Sequence, residues 1–209
     1  LNENMKYLDA GCGCGNISLV LYKILYENFH HNKYNILNKM ITLLDINSER
    51  TSLIEEKYSF NNIYTMDFLN YNPIIKYDVI ISNPPFIIDK YTIWHDFFMK
   101  CMECLKPNGF LCILTPSIWM KPEHKIYNYI TSFKIHKIKC LNNNESNKIF
   151  DGDARTPICY MLIEKKKSNN VIQIFDNMLN KFVEFKLSNC PIPMYYIEII
   201  NKITKYVNK

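Results

Sequence analysis

Short apolar runs alternate with longer amphipathic stretches along most of this chain, and that rhythm constrains the fold more than any other feature. Met5 to Asp9 reads as a first strand, and Ile17 to Phe29 as a helix. The continuous apolar run Met40 to Ile46 is a buried central strand. Ser48 is placed to cap a helix reaching Tyr58, with Thr51 a poorer candidate. Ile63 to Met66 and Tyr77 to Ser82 supply a third and a fourth strand. Thr92 to Leu105 is helical, and the turn Pro107-Asn108-Gly109 stops it. Phe110 to Thr115 is a fifth buried strand, and Pro122 begins a helix running to Thr131. Strands that alternate with helices predict an α/β fold on a mostly parallel sheet.

The rhythm then changes. Phe133 to Leu141 is a strand, Asn142 to Asn147 a polar loop, and Ile158 to Ile163 a strand that runs into Lys165-Lys166-Lys167. Two successive strands joined only by a loop imply one antiparallel member near the sheet edge. After Ser168 the pattern is a hairpin, Val171 to Phe175 against Phe182 to Leu187, and then a helix with Tyr196, Ile200, Ile203 and Val207 on one face. The expected organisation is a main domain over 1–167 and a small appended hairpin and helix over 168–209.

Apolar residues make up 48% of the chain, enough to bury a core without disulfides or a structural metal. A formal charge of +5 permits contact with phosphate without demanding it. The eight Cys are scattered, and Cys101 and Cys104 fall in a helical pattern with no second ligand pair, so packing is expected there and no metal site. Nothing reads as a secretory signal or a membrane-spanning run, so the expectation is a reducing, intracellular compartment, nuclear or cytoplasmic, and no membrane partner. The first residue, Leu1, is not an initiator Met, and a piece of a longer protein is expected.

Of only five glycines, three stand at alternate positions in Asp9-Ala10-Gly11-Cys12-Gly13-Cys14-Gly15, between the first strand and the first helix. Such a loop lets the backbone turn sharply and approach a ligand closely, with free N–H groups at the helix N-terminus. A triphosphate-binding loop would need G-x-x-x-x-G-K-[ST], and a dinucleotide fold G-x-G-x-x-G; neither is present. Asp45 closes the second strand beside Ile46, where its carboxylate either accepts two ribose hydroxyls or caps the following turn. Asp67 follows the third strand with Phe68 next to it.

Asn83-Pro84-Pro85-Phe86 directly follows the fourth strand. Two prolines fix φ and remove two donors, which leaves a rigid segment that presents carbonyl oxygens. Asn83 adds a side-chain acceptor and Phe86 a flat apolar face. An amino group conjugated to a ring or a carbonyl is a poor nucleophile. Two acceptors, the Asn83 side-chain oxygen and the Pro84 carbonyl, would each take one N–H and aim the lone pair at an electrophile. Positive charge develops on that nitrogen as it reacts, so the acceptors favour the transition state over the ground state.

The glycine loop resembles the D-x-G-x-G-x-G motif of class I S-adenosylmethionine-dependent methyltransferases, and N-P-P-F is similar to the [DNS]-P-P-[YFW] motif of amino methyltransferases. The stretches Thr115 to Met120, Asn147 to Phe150 and Asp151 to Thr156 look like the corresponding regions of restriction–modification-type DNA adenine methyltransferases. The resemblance covers Met5 to Lys167. It implies a Rossmann-like methyltransferase fold, a mostly parallel seven-stranded sheet with one antiparallel strand and helices on both faces. It also implies S-adenosylmethionine as cofactor. Asp9, Ala10, Gly11, Cys12 and Gly13 would lie at the methionine end, Asp45 and Ile46 at the ribose, Asp67 and Phe68 at the adenine, and Asn83 beside the reacting methyl. Asn83, Pro84, Pro85 and Phe86 would form the catalytic segment.

The favoured activity is methylation of adenine N6 in DNA. RNA adenine N6, the side-chain amide of protein glutamine, and an inactive cofactor-binding module stay open, because the motif serves adenine and glutamine amines alike. The family usually has a segment before the first strand and a sizeable target-recognition region, and neither is evident here. A recognition subunit or a flanking domain is therefore an expected partner beside the nucleic acid. Lys121, Lys125 and Lys165 to Lys167 either grip phosphate or form a solvated face.

Overall fold

The computed structural model describes residues 4–29, 33–150 and 157–207. Asp151 to Thr156, one of the stretches that carried the resemblance, lies outside the described residues. By its internal contacts the chain divides into two compact units, Leu1–Ile113 and Leu114–Lys209.

The first unit holds strands β1 (Tyr7–Ala10), β2 (Ile41–Asp45), β3 (Ile63–Thr65) and β4 (Tyr77–Ser82). It also holds a two-residue hairpin, β5 (Ile87–Ile88) with β6 (Tyr91–Thr92), and most of β7 (Leu105–Pro116). Its sheet runs in the order β3-β2-β1-β4-β7, every pair parallel. Parallel strands need crossovers, and helices α1 (Asn16–Asn28), α2 (Lys33–Asn35), α3 (Ser48–Tyr58) and α4 (Trp94–Cys104) supply them. β1 is buried at every position, as a central parallel strand must be. Its neighbours form a core of Tyr7, Leu25, Ile36, Met40, Ile41 and Phe60, all at or below 2% exposure. Trp94, Cys101 and Cys104 lie buried along α4, so the C-x-x-C pair is packed inward.

The second unit carries α5 (Tyr127–Ser132), β8 (Phe133–Leu141), α6 (Asn143–Ile149), β9 (Ile158–Lys167), β10 (Val171–Asp176), β11 (Lys181–Lys186) and α7 (Ile197–Val207). Its strands are ordered β9-β8-β10-β11. β8 is antiparallel to β9 and parallel to β10, and β10 is antiparallel to β11. Ile138, Met161 and Ile174 pack on one side of it with Trp119, whose indole N–H donates to the Cys159 sulfur at 3.3 Å.

The α/β class and the mostly parallel sheet match the sequence reading; several details differ. The first unit's sheet has five strands and the second's four, against the seven expected, because the hairpin β10–β11 joins β8 instead of standing apart, and two pairs, β8 with β9 and β10 with β11, are antiparallel. Asn47, not Ser48, caps α3: its side chain accepts the Arg50 amide at 3.0 Å, and Ser48 is already helical. Pro107 to Gly109 bulge out within β7 rather than end a helix. Tyr77 pairs with Leu105 and Val79 with Phe110, and Asn108 takes φ 60 to absorb the extra residues. The helix expected from Pro122 begins at Tyr127.

The Asn-rich stretch from 142 is helix α6, not a loop. Asn142 accepts the Glu145 amide and Glu145 accepts the Asn142 amide, a reciprocal cap that outweighs the poor propensity of Asn. Among the described side chains of α7 the buried one is Ile197. Tyr196, at φ 56, precedes the helix, and both it and Ile203 are exposed. The side chain of Val207 lies outside the described residues.

Candidate active site

The order β3-β2-β1-β4 decides what stands beside what. Register pairs Thr65 with Asp45, Leu44 with Ala10 and Ala10 with Ser82, so the four strands end nearly level. Asp67, Asp45, Gly11 and Asn83 therefore follow one another along the carboxyl edge of the sheet, about 4.8 Å per strand. That edge is where open α/β sheets bind ligands. A cavity of about 480 Å³ lies there, a volume usual for a small-molecule site. Gly11, Asp45, Ile46, Asp67, Phe68, Asn83, Pro84 and Pro85 all line it. A second cleft touches Lys6, Thr42 and Tyr77 at the opposite, amino ends of the strands, away from every motif in the sequence.

The glycine loop works through its shape. Gly11 and Gly15 have φ of 76 and 81, a region that L side chains enter at a cost of roughly 1–2 kcal/mol. A Cβ on Gly15 would also come within 3.2 Å of Ile54. Four of the loop's own amides are engaged within the protein. The Gly11 and Cys12 amides donate to the Leu44 carbonyl, Gly13 donates to Asp45, and Gly15 donates to the Cys12 carbonyl. These bonds hold the loop flat against the end of β2, which leaves Gly11 to form the cavity wall.

Asp45 is 6% exposed, and its carboxylate is held at both oxygens. Oδ2 accepts the Gly13 amide at 2.8 Å and Oδ1 the Asn47 amide at 2.9 Å. Each oxygen retains a second lone pair for a ligand hydroxyl. Asp67 accepts from the Leu69 amide and the Asn70 side chain, so it shapes its own turn while facing the cavity. Beside it the Phe68 and Phe97 rings meet at 5.2 Å and 44°, a pair of apolar faces suited to a flat ring.

Asn83 is exposed into the cavity, and among the described residues no hydrogen bond engages its side chain or the Pro84 carbonyl. Asn83 is thus an unengaged acceptor at the end of β4, and Pro84, itself buried, lines the cavity beside it. Phe86 is half-buried, does not line the cavity, and accepts the Ile93 amide through its carbonyl.

Asp9, Ala10 and Cys12 are buried outside the cavity lining, and Gly13 is half-exposed. The Ser18 hydroxyl donates to Asp9 Oδ2 at 2.6 Å, while Oδ1 has no partner among the described residues. Burial pushes the Asp9 carboxyl up to about 6, against the lowering effect of Ser18, and nearby Asp45 adds to the rise. Burial likewise lifts the Cys12 thiol to about 12, so it stays protonated. Sequence reasoning missed Leu44, Arg50, Ile88, Ile93 and Phe97, which complete the lining. Arg50 and Phe97 reach the cavity from α3 and α4, and no motif marks them.

Residues 1–150 match the family model described as the methyltransferase small domain. The chain belongs to the methyltransferase small-domain family. No curated protein sequence matches it. Solved structures similar to this methyltransferase include the M protein of the type I restriction enzyme EcoKI, at 10% identity and TM-score 0.67, covering 83% of this chain and 44% of that one. A modification subunit of a putative type I restriction enzyme from Vibrio vulnificus is 13% identical with TM-score 0.66, covering 98% of this chain and 49% of that one. A putative class I S-adenosylmethionine-dependent methyltransferase from Listeria monocytogenes is 17% identical with TM-score 0.62, covering 79% and 55%. At such identities the likeness is one of fold, Rossmann-like in all three, and the chain spans about half the length of these relatives.

Proposed function

We propose that this methyltransferase uses S-adenosylmethionine to methylate the exocyclic N6 of adenine in DNA. The observation that carries the reading is the exposed, unengaged Asn83 with Pro84 beside it, one strand away from Gly11 and in the same cavity as Asp45 and Asp67. The donor set fits the adenosyl part of the cofactor: Asp45 for the ribose hydroxyls, and Asp67 with Phe68, Ile46 and Phe97 around the base. At the methionine end only Gly11 lines the cavity, so the loop contributes backbone surface there and not side chains. When bound, the cofactor supplies an electrophilic methyl on sulfur.

The chain's own part is positioning. Each of two oxygens, that of the Asn83 side chain and the Pro84 carbonyl, takes one N–H of the target amine, which draws nitrogen toward tetrahedral geometry and points its lone pair across to the β1 loop. As charge builds on nitrogen the same dipoles stabilise it, and Pro84 and Pro85 keep them from reorganising. A base inside a duplex must first be flipped out. A recognition subunit or flanking domain is proposed to help with that, in keeping with the type I modification subunits whose fold is shared.

The test is methyl transfer from labelled S-adenosylmethionine to unmethylated DNA, with digestion to nucleosides. N6-methyladenosine from RNA alone would move the substrate to RNA. Label on protein and on no nucleic acid would replace the reading with amide methylation.

A further inference from the structure

The second unit's sheet has one face packed and one face open. Side chains alternate along each strand: Ile138, Met161 and Ile174 point into the core, so their neighbours point out. Register brings six of the outward residues together. Lys139 stands opposite Tyr160, and Lys137 beside Gln173, while Phe175 of β10 pairs with Phe182 of β11. Tyr160 is 39% exposed and Phe182, on the edge strand, 38%. The Phe175 and Phe182 rings meet edge to face at 5.2 Å and 75°.

The two lysines form a row on β8, with Tyr160 on one side and the Phe pair on the other. Neither lysine has a carboxylate partner among the described residues. Lys139 lies 4.2 Å over the Phe175 ring and Lys137 lies 5.1 Å over the Phe182 ring. Of the acids facing the same way, Glu164 is held by His136 at 2.9 Å, and Glu184, in register with Lys137 across Gln173, forms no ion pair with it. The ammonium groups thus rest on aromatic faces and form no ion pair among the described residues.

We propose that this open face of β8–β11 binds single-stranded nucleic acid, the lysines taking phosphates and Tyr160, Phe175 and Phe182 stacking on bases. Two kinds of group are needed to hold an unpaired strand: cations for the backbone and flat rings for the bases. Both stand here side by side on a rigid sheet. A protein segment would be expected to seek a more continuous apolar surface; a duplex hides its base faces and would use the lysines alone. The two lysines would swing from the rings to phosphate as bases take their place, exchanging one cation–π contact for a charge pair and a stack. This surface is distinct from the Asn83 cavity and does not depend on the target chosen there.

The test is fluorescence anisotropy of the 209-residue chain with a labelled single-stranded oligonucleotide and with the matching hairpin duplex, over a salt series. The single strand should bind more tightly than the duplex. Lys137→Gln with Lys139→Gln should weaken it at least tenfold and lower the salt slope by about 1.4, two phosphates at roughly 0.7 each. Phe182→Leu and Tyr160→Leu, which keep an apolar body and lose the ring, should weaken binding severalfold with the slope unchanged. Asn83→Ala should bind like the parent chain, so failure at the cavity and failure at the sheet are read separately. Equal binding by parent and lysine variant, or a duplex bound as well as the single strand, overturns the inference. So does a protein ligand competing for this face while the oligonucleotide ignores it.

Discussion

In the proposed mechanism Asn83 and Pro84 offer the target nitrogen its two acceptors, and only one of them is a side chain. Asn83→Ala should therefore cut methyl transfer by about 10² to 10³, the usual cost of one preorganised polar contact to a developing charge. Cofactor affinity by calorimetry should stay within about threefold, since the group acts on the amine and not on the donor. Asp45→Ala should do the reverse: one or two charge-assisted bonds at roughly 1.5–3 kcal/mol each predict a tenfold or greater loss of cofactor affinity.

Asp9 is legible in another experiment. Its folded-state value, raised to about 6 by burial, exceeds the ordinary 3.8. Between these limits the native chain holds a proton that the unfolded chain has released, so stability falls as pH rises from about 4 to about 6 and is flat in this component above. Urea midpoints measured across that range for the parent and for Asp9→Asn should diverge with that sign, and a pH-independent difference would contradict the burial of an unsatisfied Oδ1.

At the scale of elements, two sites test whether local geometry is under strain or held by caps. Gly15→Ala should cost about 1–2 kcal/mol for its left-handed φ, with an addition from the Ile54 contact, seen as a lowered melting temperature. Asn142→Ala should remove about 1 kcal/mol by breaking the reciprocal cap of α6. These elements also mark how far the sequence could be read. β4 and β8 were legible to the residue, because each is a run rich in β-branched and aromatic residues that ends at a turn or polar segment. α6 was not: Asn argues for a loop by propensity, and only the N-x-x-E spacing hinted at the cap. The cavity's motif-bearing wall was legible because it sits on consecutive strand ends. Arg50 and Phe97 were invisible, since their place depends on how α3 and α4 lie against the sheet. The loop's own hydrogen bonds were illegible for a similar reason, as Leu44 and Asp45 accept them from another strand.

For the whole molecule, the stretch from 168 onward is the segment to test. Ile172 and Ile174 are at 1% and 0% exposure, and β10 adds directly to β8. Burying such side chains contributes roughly 1.5–3 kcal/mol each. A chain ending at Lys167 is expected to melt well below the parent or to aggregate, as followed by circular dichroism. Survival of an unshifted transition would show the hairpin to be a true appendage.

The chain has just two tryptophans, and they fall one in each compact unit: Trp94 on α4 and Trp119 after β7. Both indoles are at or below 2% exposure, and one touches a sulfur that quenches emission. Replacing either with Phe thus yields a molecule whose intrinsic fluorescence follows one half alone, an optical means of asking whether the halves melt together or in turn.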